Sequence, residues 1–227
     1  MVMLVSTNWS LGSKKAMVLA LSSLMGVGLA SAQGAPSVGI AGYVGSLGIG
    51  GEGSVHLNDK FSVNVGVDTF AVNAEASDAA SAYSVEGGAF LGHVGAGFHP
   101  FSDSLRLSGG VMMGGMGADG TASITESGIT ASGSMSINLA NPVQPYATVG
   151  FATQPNPGFG FYGEIGVAYT GGFNATVTVD DALCAGDATC EAEVATAAAD
   201  LQTDVQDSLN LLGEFYPLLR IGLRGTF

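Results

Sequence analysis

The feature that most constrains this chain is alternation. From Phe61 to Ala71 the odd positions read Phe61, Val63, Val65, Val67, Thr69 and Ala71. The even positions read Ser62, Asn64, Gly66 and Asp68, until Phe70 breaks the polar face. A period of two places the apolar set on one side of a β-strand and the polar set on the other. The segment is as long as a strand that crosses a bilayer at a tilt.

The same odd-apolar parity recurs. Leu105, Leu107 and Val111 alternate with Arg106, Ser108 and Gly110, and Phe159, Phe161, Ile165, Val167 and Tyr169 with Gly160, Tyr162, Glu164 and Gly166. Met135, Ile137, Leu139, Val143, Ala147, Val149 and Phe151 behave alike, as do Leu219, Ile221, Leu223 and Phe227. Between Val85 and Phe98 the alternation is weaker, with Phe90, Val94, Ala96 and Phe98 on the outer face. Near the start the apolar positions are even (Val38, Ile40, Val44) and then odd (Leu47, Ile49, Val55, Leu57). A two-residue hairpin at Gly45-Ser46 flips parity in this way, and so does a β-bulge. Unbroken parity from Phe159 to Val179 favours one long strand. The count is eight strands, at roughly 37–44, 47–57, 60–72, 83–98, 104–116, 133–152, 158–180 and 214–227. A soluble β-sandwich also alternates. Repetition along most of the chain, with Gly and polar residues on the second face, points instead to an all-β fold, an eight-stranded antiparallel transmembrane β-barrel.

The first residues read as an export signal. Lys14 and Lys15 precede an apolar run from Ala16 to about Ala30, and Ala30-Ser31-Ala32 is a cleavage site. The residues before Lys14 are unusual for such a signal, and a start codon set too far upstream accounts for them. Removing 1–32 leaves 195 of the 227 residues as one domain, 33–227. Four of the six Lys and Arg remain against all 19 Asp and Glu, a net charge of −15. Nucleic-acid binding, which needs a basic surface, is excluded.

The turns at Asn58-Asp59, Pro100 to Asp103 and Pro155 to Gly158 are short and would face the periplasm, as would both termini. The links at 73–82, 117–132 and 181–213 are longer and would face outward. The acidic link 181–213 holds one helix of about 187–212. Val194, Ala198, Leu201, Val205, Leu209 and Leu212 recur on one face, and Gly213 supplies the stop. Such a helix packs on the barrel rim or offers its face to a partner. Cys184 and Cys190, six apart in an exported chain, are expected to pair, and no His lies near them to complete a zinc site.

Several short pieces then carry a resemblance: Gly45-Ser46-Leu47-Gly48-Ile49-Gly50, Leu57-Asn58-Asp59, His99-Pro100-Phe101, Arg106-Leu107-Ser108, Pro145-Tyr146, Phe215-Tyr216-Pro217 and the terminal Phe227. Together they resemble the small Gram-negative outer-membrane β-barrels, in the broad grouping of the OmpA transmembrane domain and OmpW, closest to a proteobacterial subset. The resemblance implies an outer-membrane location. It also implies that Leu219, Ile221, Leu223 and Phe227 form the signal read by the barrel assembly machinery. Gly225-Thr226 departs from it, since that grouping has an aromatic and a basic residue there.

No catalytic, cofactor or metal constellation appears. The three histidines are scattered, and no triad, phosphate loop or metal-spaced cluster is present. We therefore expect no enzyme, with a membrane-embedded lipid-modifying activity the most distant reading. One cluster does stand out. Arg106, Arg220 and Arg224 take inward parity, and so do Glu52, Asp68 and Glu164. A basic residue facing lipid at the midplane costs roughly 2–4 kcal/mol, and an unpaired charge in a narrow lumen is costly too. These six residues would pair inside the barrel. Two functions follow: an anchored structural or interaction protein in outer-membrane lipid with a charge-plugged lumen, or a narrow, porin-like channel for a small solute.

Overall fold

The computed structural model describes residues 37–77, 81–101, 105–126, 129–152, 158–180, 184, 186–210 and 213–227. The export signal, including Lys14, Lys15 and the 30–32 cleavage site, lies outside them, as do Asp103, residues 155–157 and Leu212. Ten strands and one helix follow in order. They are β1 (Val38–Gly45), β2 (Gly48–His56), β3 (Phe61–Ser77), β4 (Ser81–Phe98), β5 (Leu105–Glu126), β6 (Ile129–Leu139), β7 (Val143–Ala152), β8 (Gly158–Tyr169), β9 (Phe173–Val179), α1 (Ala188–Asn210) and β10 (Phe215–Thr226).

Antiparallel pairing closes eight of these strands into a ring, β1-β2-β3-β4-β5-β7-β8-β10 and back to β1. Ile40, Ile49, Val65, Val94, Leu107, Val149, Phe161, Ile165 and Ile221 point outward and are exposed. Apolar exposure on every side of a ring is what lipid requires and water penalises. Aromatic pairs sit near both ends of this belt. Phe61 and Phe98 lie 5.3 Å apart at the end holding the termini, and Tyr169 and Phe215 lie 5.5 Å apart at the other. Val38 and Phe227 exchange backbone hydrogen bonds at the terminal end, closing the ring.

Some boundaries differ from the sequence reading. The hairpin pairs Gly45 with Gly48, so its two linking residues are Ser46 and Leu47 rather than Gly45 and Ser46. Gly48 adopts φ +90°, a conformation that favours glycine, and Leu47 is buried. Parity still flips, because Val44 now faces Ile49. The segments 133–152 and 158–180 are each two strands, broken between Leu139 and Val143 and between Tyr169 and Phe173. Pro142 interrupts the first and Gly171-Gly172, both at positive φ, the second. The links read at 73–82 and 117–132 are largely strand, since β3, β4, β5 and β6 continue pairing up to Ser77, Ser81, Glu126 and Ile129.

These prolonged strands form a sheet beyond the ring, β3-β4-β5-β6-β9. β9 is its edge, and α1 covers it. Gln206 Oε1 accepts from Ala175 N at 3.0 Å, its Nε2 donates to Phe173 O at 2.8 Å, and Gln202 Oε1 accepts from Val177 N at 3.5 Å. Satisfying edge groups with side chains blocks further strand addition. Asp187 caps the helix through Thr189 N and Cys190 N, and Gly213, at φ +75°, follows its end.

Candidate functional site

The ring leaves little interior space, and charged side chains fill its middle. Six of them form a closed circuit. Arg106 Nη1 donates to Glu52 Oε1 at 2.7 Å, and Arg106 Nε lies 3.6 Å from Glu164 Oε1. Arg220 Nη1 lies 3.5 Å from Glu164 Oε2, and Arg220 Nη2 donates to Asp68 Oδ2 at 2.8 Å. His93 completes the circle, with Nδ1 3.2 Å from Asp68 Oδ2 and Nε2 3.4 Å from Glu52 Oε2. Carboxylates only accept, so His93 bonds both of them only when each ring nitrogen carries a proton. The circuit is then neutral: three carboxylates, two guanidiniums and one imidazolium. All six side chains are almost fully buried.

Six strands (β2, β3, β4, β5, β8 and β10) contribute one member each. The other two supply polar neighbours: Tyr43 from β1 stacks on Tyr162 at 5.5 Å, and Tyr146 from β7 accepts from Asn64 Nδ2 at 3.1 Å. Arg220 lies over the Tyr43 ring at 5.1 Å and Arg106 over Tyr162 at 5.9 Å, within cation–π range. The crossing side chains need floors without Cβ atoms. A Cβ on Gly66 would stand 2.5 Å from His93 Cε1, and one on Gly50 would overlap the Tyr43 ring.

Towards the end opposite the termini the filling turns apolar. Leu47, Ala89, Leu91, Met112, Met116, Ala168 and Leu218 form one buried cluster, with Phe70, Leu139, Phe173 and Tyr216 packed against it. Leu91 and Leu218 are 1% exposed and Met112 is 0%.

Arg224 stands apart from the circuit. It is 2% exposed, and its Nη2 donates to Ser54 Oγ at 2.7 Å and lies 3.1 Å from His56 Nε2. No carboxylate of the described residues is within ion-pair distance of it, so the expected six-residue pairing holds five of its members and takes His93 in place of Arg224. Position 93 has the opposite parity to Phe90, Val94, Ala96 and Phe98 and so faces inward. Its place between two carboxylates depends on how far neighbouring strands are staggered, which one-dimensional alternation does not carry. His56 and His99 lie 5.5 Å apart beside Arg224, and Ser62 Oγ lies 3.2 Å from His99 Nε2.

Leu219, Ile221, Leu223 and Phe227 all face outward and are exposed. Cys184 and Cys190 are bridged. The prolonged sheet surrounds a cavity of about 1110 Å³ whose lining includes Ser84, Thr121, Ser134 and Thr178, with Glu75 and Asp180 among them. No group of His, Cys, Asp and Glu among the described residues is arranged to hold a metal.

Among solved structures, the chain is similar to two from Acinetobacter baumannii. The first is CarO, at 17% identity and a TM-score of 0.53, over 83% of this chain and 97% of that one. The second is CarO2, also at 17% identity, with a TM-score of 0.56, over 84% of this chain and 98% of that one. No protein-family model matches the sequence, and no curated protein matches it. At this identity the likeness is one of fold. It carries the outer-membrane β-barrel kind, and not the narrower OmpA and OmpW grouping.

Proposed function

We propose that the mature chain is an outer-membrane barrel with a closed lumen, and that it acts as an anchored structural or interaction protein through the part projecting outward. The supporting observation is the ion-pair circuit lying beneath a largely apolar layer: charges fill one tier, and Leu47, Leu91, Met112, Met116 and Leu218, with Gln144 and Tyr146 among them, fill the next. Water crossing the barrel would have to pass both. In this reading the ring of exposed aliphatic and aromatic residues contacts outer-membrane lipid. Leu219, Ile221, Leu223 and Phe227 serve the barrel assembly machinery, and the terminal end faces the periplasm. The projecting sheet, its hydroxyl-lined cavity and the acidic helix α1 meet whatever lies outside.

A second reading, a narrow path for small solutes, draws on the buried polar atoms Arg106 Nη2, Thr148 Oγ1 and Tyr162 Oη, which have no hydrogen-bond partner among the described residues. Such atoms favour a hydrated lumen over a dry one. That path needs the Leu91, Met112 and Leu218 layer to move aside.

Arg220→Ala separates the two. In a closed barrel it leaves Asp68 paired with His93 alone and Glu164 with Arg106 alone, and should lower unfolding stability by roughly 3–5 kcal/mol, the cost of breaking a buried pair. In a water-filled channel the same change should shift ion selectivity with little loss of stability, because solvent screens the remaining carboxylates. Urea titration of the refolded variant together with its bilayer recording reads both.

A further inference from the structure

The closed circuit balances its own charges, which leaves Arg224 as a buried cation without a counter-ion among the described residues. Burial of an unpaired charge is among the costliest things a fold can do. Its own hydrogen bonds do not neutralise it. The two groups bonded to Arg224 Nη2 are a serine hydroxyl and a histidine nitrogen, both uncharged when they accept a hydrogen bond.

Three polar atoms in this part of the barrel are buried and have no partner among the described residues: Arg224 Nη1, Arg106 Nη2 and Thr226 Oγ1, on residues 2%, 1% and 8% exposed. Thr226 is two positions from Arg224 along β10 and so shares its face. Two glycines make room for the side chains that carry these atoms. A Cβ on Gly39 would come within 2.6 Å of Arg224 Nη2, and one on Gly97 within 2.5 Å of Ser62 Oγ and 3.1 Å of Arg106 Nε. All three atoms can donate a hydrogen bond.

The turn residue His99 registers the same imbalance. Burial first, and then the neighbouring His56, Arg106 and Arg224, push its imidazole down to about 4. Two guanidiniums thus stand close to the two histidines at the end of the barrel holding the termini.

We propose that this mouth binds a small inorganic anion, a halide or a phosphate, on Arg224 Nη1 and Thr226 Oγ1 beside Arg106. The anion supplies the charge that the protein's own carboxylates do not. The site shares Arg106 with the circuit but rests on Arg224 and Thr226, which lie outside it, so it does not depend on whether the lumen is closed or open.

The test is the unfolding midpoint of the refolded protein in detergent, titrated with chloride and with inorganic phosphate. Ionic strength is held constant with a bulky sulfonate. A ligand that binds only the folded state raises stability as its concentration passes the dissociation constant. The midpoint should rise and saturate with at least one of the two, and the one that does so identifies the anion. Arg224→Gln should flatten the response, and chloride-35 line broadening, where chloride is the ligand, should vanish with it. Thr226→Val should weaken apparent affinity by about tenfold, the loss of one hydrogen bond to a charged group. A wild-type midpoint insensitive to both anions would overturn the proposal, and so would an Arg224→Gln protein that keeps the wild-type dependence. Should Arg224→Gln fail to fold, Thr226→Val decides alone: weaker binding supports the site, and unchanged binding overturns it.

Discussion

The inside of the barrel and the part projecting from it treat charge in opposite ways. Inside, carboxylates and cations alternate around a circuit in which Glu52, Asp68 and Glu164 each touch two partners. Outside, Glu75, Glu86, Asp119, Asp180, Asp187, Glu191, Glu193, Asp200, Asp204, Asp207 and Glu214 lie on a sheet and helix whose described residues include no Lys or Arg. The difference is one of solvent. A carboxylate in water needs no partner, whereas one at 2–3% exposure must have one. Of the cations among the described residues, Arg106, Arg220 and Arg224 are accordingly placed in the lumen, with Lys60 left for a turn.

This contrast sets the order of effects. A lesion in the circuit is the largest, and Arg220→Ala should cost more than any change in the projecting region. Reducing the Cys184–Cys190 bridge comes next, at about 2–3 kcal/mol for so short a loop in the chain-entropy model. Its effect should stay in the projecting region. Hydrogen exchange should speed up in α1 and β9 while the ring strands keep their protection, and a collapse of the whole barrel on reduction would contradict the separation of the two regions. Smaller still is Gln206→Ala, which removes the hydrogen bonds to Ala175 N and Phe173 O. A loss of about 1 kcal/mol is expected, the net worth of a part-buried hydrogen bond. It should appear as faster exchange at Ala175 with an unchanged unfolding midpoint for the ring.

The ring was legible in the sequence because lipid on one side and a narrow lumen on the other force every strand into strict alternation. Ile165, Leu219 and Ile221 face outward and Glu164 and Arg220 inward for that one reason. The breaks were not legible, because both preserve parity. Leu139 to Val143 and Tyr169 to Phe173 each step four residues, so the apolar set stays on odd positions across the interruption. The projecting strands escaped for a different reason. Around Gly117, Gly120 and Ser123 the residues are small and polar on both faces, a composition typical of loops. There the backbone ladder to β4 and β6, and not side-chain burial, holds the strand. The place of His93 between Asp68 and Glu52, and the exclusion of Arg224, depend on how the strands are staggered around the ring. Inward parity selects which residues enter the lumen but not the level at which each one sits.

On the proposed reading those levels close the barrel, and planar-bilayer recording of the purified, refolded protein across a salt gradient tests that closure most directly. That reading predicts a silent membrane, with no resolved steps at ordinary holding potentials, because it has the circuit and the Leu91, Met112 and Leu218 layer block the passage of water. Stable, ion-selective conductance steps from the wild-type protein would contradict it.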